Sequence, residues 1–148
     1  MAVTLHHIGI ISRDAEKTAA AYKDMLGLEL TPLGIVNHEH QGVKMGFALA
    51  GATALEFLEA ADPPPGHHAK RLIDHMARRG EGLFQLCMFS DDYDGDIGNL
   101  KKKGYEVEED SIDFGGGAMI RVAFLGPEVA SGAWIEIVDA AGVPEQFR

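Results

Sequence analysis

The sequence predicts an α+β fold made of two βαβββ modules. Three observations carry this. An apolar strand, an amphipathic helix, a short return strand and a closing pair of strands occur in that order twice, at an offset of about 78 to 80 residues. In each copy the first strand ends in serine and runs into a helix, which the acidic DDYDGD opens in the second. Polar residues also interrupt the apolar strands at matching positions of the two copies. A single βαβββ unit exposes an apolar sheet face that it cannot bury alone, so two are expected together.

The first module spans residues 5–60. LHHIGIIS (Leu5 to Ser12) reads as an apolar strand. The helix follows over residues 14–26, with Ser12 or Asp14 as N-cap and Gly27 as its stop. Ala15, Ala19, Tyr22 and Leu26 recur at three- and four-residue spacing and predict one buried face. Residues 27–31 are expected as the return strand. Val43 to Ala50 and Thr53 to Ala60 are the closing pair, with Gly51 as the tight turn.

A linker over residues 61–82 follows. Pro63 to Pro65 forbid regular structure at its start, and Leu72, Ile73 and Met76 mark a short helix that Gly80 ends. The second module spans residues 83–140. LFQLCMFS (Leu83 to Ser90) is its first strand, and DDYDGD opens a helix that Gly104 stops. Tyr105 to Asp110 is the expected return strand, and Met119 to Gly126 and Ala133 to Ala140 close the module. Gly115 to Gly117 predict a flexible turn, a long hairpin or a place where backbone amides approach a ligand.

Composition narrows the function classes. The 148 residues are the size of one domain, and 46% of them are hydrophobic, ordinary for a globular protein. No apolar run reaches the roughly 20 residues that span a bilayer, and no signal peptide is visible at the N-terminus. A net charge of −10 argues against nucleic-acid binding, which needs Lys and Arg on phosphates. The lone Cys87 cannot form an internal disulfide and fits a reducing cytoplasm.

Strand alternation locates the chemistry. His7 shares a face with Leu5, Gly9 and Ile11; Glu56 with Ala54 and Leu58. Gln85 shares a face with Leu83, Cys87 and Phe89; Glu136 with Trp134 and Val138. The four are the first-strand and last-strand positions of the two modules. If the modules pair about a pseudo-twofold axis, all four face one cleft. An imidazole, two carboxylates and an amide oxygen suit a divalent ion such as Co²⁺, Zn²⁺, Ni²⁺ or Mn²⁺. Buried glutamates are rare without partners, so each member supports the others. Gln85 is read equally as a ligand or as a hydrogen-bonded polar residue of the cleft. His6 is expected on the helix side as a structural residue, and His38 and His40 in a loop. His67 and His68 are read as surface residues, Cys87 as a wall residue, and Lys101 to Lys103 as a solvated helix end.

HHIGI with DAEKTAAAYKDMLGLEL, GATALEFLEA, AKRLIDHMARRGEGLFQLCMFSDD and GGGAMIRVAFLGPEVASGAWIEIVD together resemble the vicinal oxygen chelate (glyoxalase/bleomycin resistance) superfamily, and its methylmalonyl-CoA epimerase branch most. The resemblance covers nearly the whole chain. It implies one domain whose paired modules form a half-open barrel around a metal, usually in a homodimer. By position, His7, Glu56 and Glu136 match the family's ligands, and Gln85 stands where the epimerases and glyoxalase I carry histidine. Phe84 also replaces a histidine common in epimerases, and Gly42 to Phe47 lacks the second acid that some supply. The resemblance implies a small-molecule substrate, an acyl-CoA thioester in the epimerase version. A carboxylate, Glu136 or Glu56, removes the proton beside its carbonyl through a metal-stabilised enolate. Two alternatives stand beside the epimerase: a glyoxalase I-like lyase, and a metal-free small-molecule-binding or resistance protein.

Overall fold

A computed structural model describes residues 3–113 and 119–144. The expected Gly115–Gly117 turn lies outside the described residues. The elements follow the βαβββ order twice. Strand β1 (Val3–Ile11), helix α1 (Ala15–Leu26) and strands β2 (Val36–His38), β3 (Val43–Ala50) and β4 (Thr53–Ala60) form the first module. Helix α2 (His67–Arg79) links it to β5 (Gly82–Ser90), α3 (Tyr93–Lys102), β6 (Glu108–Asp113), β7 (Met119–Leu125) and β8 (Trp134–Asp139), and a 3₁₀ turn follows at Ala140–Gly142. The backbone divides into two compact units, His7–Phe84 and Met1–His6 with Gln85–Arg148. Among the described residues no helix is long and apolar enough to cross a membrane.

In the first unit the strands run β2-β3-β4-β1. β1 lies parallel to β4, and the other neighbours are antiparallel. Asp14 caps α1, its carboxylate accepting from the Lys17 amide at 2.8 Å, and Gly27 ends it at φ 70°. Ala15 and Ala19 pack on Ala48 and Phe57, with Tyr22 edge-on to Phe57. Leu26, expected on this buried face, is 63% exposed. Burial declines along α1, whose last turn runs beyond the apolar face its first turns cover.

The return strand is not at residues 27–31. Leu30 makes one isolated bridge to Ala48, and the strand proper is β2, in a stretch expected to be loop. Pro32 lacks an N–H and restricts Thr31, so the ladder breaks there. The chain turns at Gly34 and crosses close over Gly46, where a Cβ would stand 2.6 Å from Ile35 Cδ1. His38 consequently ends β2, paired with Val43, while His40 lies in the turn that follows.

The second unit repeats the plan as β5-β8-β7-β6, with β5 parallel to β8. Asp92 caps α3 as Asp14 caps α1. The return strand begins at Glu108, three residues later than expected, because the Tyr105 amide is still bonded to Leu100 O at the helix end. Two cores flank this sheet: Cys87, Val122, Phe124 and Val138 on one face, and Tyr93, Ile97, Ala123 and Ile137 beneath α3 on the other.

Each module also ties its helix start to its last two strands by an ion pair. Lys44 pairs with Glu59 at 2.8 Å, and the same carboxylate accepts from the Ala15 amide at 3.1 Å. At the equivalent place Arg121 donates to Asp139 at 2.7 Å and to Asp94 of α3 at 2.8 Å, and lies over the Tyr93 ring. These carboxylates hold both cationic groups above their ordinary range, chiefly through the hydrogen bonds. Burial pushes the Tyr93 hydroxyl up to about 12.

The linker helix is longer than the sequence suggested. Ala69, Leu72, Arg71 and His75 form its buried side. His75 is the member that apolar periodicity missed. Its Nε2 donates to Leu83 O at 3.2 Å, and its ring stands edge-on to Phe84. His67 is exposed as expected, but His68 is half-buried, its Nδ1 3.4 Å from an Arg71 guanidinium nitrogen.

Candidate metal and catalytic site

Parallel pairing of the first strand with the last brings two distant polar residues together in each module. In the first unit His7 Nε2 lies 3.2 Å from Glu56 Oε2, and both residues are 4% exposed. In the second, Gln85 Nε2 donates to Glu136 Oε2 at 2.9 Å, and both are 3% exposed.

The register makes the two pairs equivalent. Glu56 lies opposite Gly9, two residues beyond His7 on β1. Glu136 lies opposite Cys87, two residues beyond Gln85 on β5. On the far side of each glutamate, the third strand presents phenylalanine: Phe47 opposite Glu56, and Phe124 opposite Glu136. Each pair is therefore the same construction, with an aromatic on one flank. Phe47 is half-buried and stands edge-on to His7, centroids 5.3 Å apart. Phe124 is fully buried and packs on Trp134. Phe47 drew notice in the sequence only as part of a stretch without an acid. Its place beside Glu56 follows from the β3–β4 register, which the Gly51 turn sets.

Burying these groups is expensive. A buried carboxylate keeps its charge only with hydrogen-bonded partners, and apolar residues of like size often stabilise a fold more than a buried polar pair does. His7 Nε2 and Glu56 Oε2, both possible ligand atoms, lie 3.2 Å apart, about the spacing of two neighbouring ligands on one ion. By residue type, the imidazole–carboxylate pair of the first unit suits a borderline divalent cation, and the carboxylate of the second unit is an oxygen ligand of the same kind.

The His6 ring stacks on Phe89 at 4.0 Å and 7°. Cys87 is fully buried in the face beside Glu136, consistent with a wall residue. A polar network missed in the sequence lies on the helix side. Ser90 donates to Asp96 at 2.8 Å, both buried, and receives the Asp92 amide.

The Glyoxalase/Bleomycin resistance protein/Dioxygenase superfamily profile matches residues 6–124, and the chain belongs to this superfamily. Within it, the chain is similar to methylmalonyl-CoA epimerases. The mitochondrial human protein of that name is 28% identical over 136 residues, covering 92% of this chain and 73% of the human one. The structure of a Streptomyces coelicolor methylmalonyl-CoA epimerase variant, solved with 2-nitronate-propionyl-CoA, superposes with a TM-score of 0.70. It is 27% identical and covers 93% of this chain and 96% of that one. The epimerase from Mycobacterium tuberculosis gives 0.71 at 26% identity, covering 96% and 89%. The fold expected from the sequence, with its paired βαβββ modules, is the fold of these structures.

Proposed function

We propose that this protein is a metal-dependent epimerase of the methylmalonyl-CoA type. The observation that carries the reading is the register-matched, buried pairs His7–Glu56 and Gln85–Glu136 in a chain similar to epimerases over most of its length. In this reading His7, Glu56, Gln85 and Glu136 hold one divalent ion. A bound ion supplies Lewis-acid stabilisation of the negative charge that develops on the thioester oxygen.

The protein's own residues move the proton. Glu136 is the base that takes it from the carbon beside the carbonyl. Its partner Gln85 is a neutral amide, so the carboxylate is oriented without being neutralised. Glu56 is held by the His7 imidazole at 3.2 Å, which fixes its orientation. In this reading Glu56 is the second acid–base group: having taken a proton from solvent, it gives that proton to the opposite face of the carbon, and Glu136 releases the one it took to solvent. The hydrophobic residues around both pairs exclude water and strengthen these electrostatic effects. The acyl-CoA substrate class is supported by the ligand of the S. coelicolor structure. A homodimer in a reducing cytoplasm belongs to the same proposal.

A second reading is favoured by one observation. The strand beside Glu56 presents Phe47, and Gly42–Phe47 carries no acid. A ligand-binding protein that keeps the site without turnover fits that wall. Solvent deuterium exchange into a panel of acyl-CoA thioesters, with and without added Co²⁺, separates the two. Exchange supports the epimerase; no exchange on any thioester with metal present leaves the binding protein.

A further inference from the structure

Resting on the epimerase reading, we propose that Phe47 sets the size of the substituent carried by the reacting carbon. The two flanking phenylalanines are equivalent in register but not in surroundings. Phe124 is 1% exposed, sealed in the core with Cys87, Val122 and Val138. Phe47 is half-buried and so presents ring surface beside the His7–Glu56 pair. Its neighbours on the same face of β3 are Met45, buried, and Leu49, 66% exposed. No charged side chain of β3 lies on this face, because Lys44 points the other way to Glu59 beneath α1. A group held against this strand therefore meets only apolar side chains: buried Met45, half-buried Phe47 and exposed Leu49. An alkyl substituent fits that wall and a carboxylate does not. The substrate's carboxylate must then be placed elsewhere, leaving the alkyl group against Phe47.

The contact separates size selection from catalysis. Phe47 touches His7 by a ring edge and bonds to neither carboxylate, so its truncation widens the wall while the base remains. One methylene in an apolar pocket is worth roughly 10- to 200-fold in discrimination. The experiment measures metal-supported deuterium exchange on methylmalonyl, ethylmalonyl and butylmalonyl thioesters of coenzyme A for the parent, Phe47→Leu and Phe47→Ala. The quantity read is the ratio of kcat/KM between thioesters within each protein, which cancels any loss common to all of them. The expected result is a shift of that ratio toward the larger substituents by about tenfold or more in Phe47→Ala, with Phe47→Leu between. If all three thioesters lose activity in proportion, Phe47 only supports His7 and the proposal is overturned. If the parent exchanges no thioester at all, the epimerase reading itself has failed, and the assignment of Phe47 falls with it. Phe47→Leu, which keeps most of the volume, maintains the test if Phe47→Ala does not fold.

Discussion

Gln85 and Glu136 are joined side chain to side chain at 2.9 Å, at the position where His7 and Glu56 are joined in the first module. The register is the same in both; only the first-strand residue differs, imidazole in one and amide in the other. An amide oxygen binds a borderline metal less strongly than an imidazole nitrogen does. Gln85→His is therefore expected to tighten binding of Co²⁺ or Zn²⁺, read by calorimetric titration of both proteins. Equal affinities would remove residue 85 from the ligand set.

Glu136 is expected to act through its charge. Glu136→Gln keeps the volume and an oxygen but removes the base, so proton exchange should fall about 10²- to 10⁴-fold. Metal content should fall less, since the other donors remain. Glu56→Gln should retain more activity than Glu136→Gln, because it keeps an oxygen beside His7 while the abstracting base of this reading, Glu136, is untouched. The reverse ranking would exchange the roles of the two carboxylates.

His75 predicts an acid sensitivity of the fold. Burial lowers its pKa from the ordinary value, although the bond to Leu83 opposes the shift. The unfolded chain then takes up a proton that the folded chain refuses. Stability is full above the unfolded value of about 6.5 and declines as pH falls below it, until the lowered folded value is reached. His75→Gln keeps an N–H for Leu83 O but cannot titrate. Thermal melts from neutral to mildly acid pH should show a shallower decline for the variant than for the parent. Parallel curves would mean that His75 is not the group responsible.

The serine that ends the first strand of each module provides a paired test. Ser90 is bonded to the buried carboxylate of Asp96, and a hydrogen bond to a charged group contributes roughly 1.5–3 kcal/mol. Its counterpart Ser12 is also buried, but its hydroxyl meets no hydrogen-bond partner among the described residues. Ser90→Ala should therefore destabilise the protein by an amount in that range, and Ser12→Ala should leave stability unchanged or raise it. Chemical denaturation of both variants decides. Equal losses would show that Ser90 gains nothing from Asp96.

Much of this architecture was legible because the repeat constrains it. β3 and β4 fell at the expected residues, since alternation and the Gly51 turn fix register and ends together. His7, Glu56, Gln85 and Glu136 stood out because each interrupts an apolar strand at a repeat-matched position, and the structure buries all four. The return strands were misplaced. At residues 27–31 an apolar run looks like a strand, but Pro32 and the crossing at Gly46 decide otherwise, and at Tyr105 the helix end holds the backbone amide. Leu26 shows the limit of periodicity, which gives a helix face but not how far the partner surface extends. His75 and the Ser90–Asp96 pair depend on tertiary neighbours, and no local pattern announces them. The aromatic flank at Phe47 becomes visible only when the β3–β4 register is known.

The parallel pairing of first and last strands also governs when the site can form. Gln85 and Glu136 lie 51 residues apart in sequence, so neither pair can close before its whole module has come together. Loop-closure entropy makes such long-range parallel pairing slow relative to the local β3–β4 and β6–β7 hairpins. The hairpins are thus expected to form first and the polar pairs to be buried at the final closure. Substitutions such as Gln85→Leu should consequently act mainly on the unfolding limb of the denaturant–rate profile and leave the folding limb nearly unchanged. With that order, desolvation of the carboxylates would wait until the partners that satisfy them are already aligned.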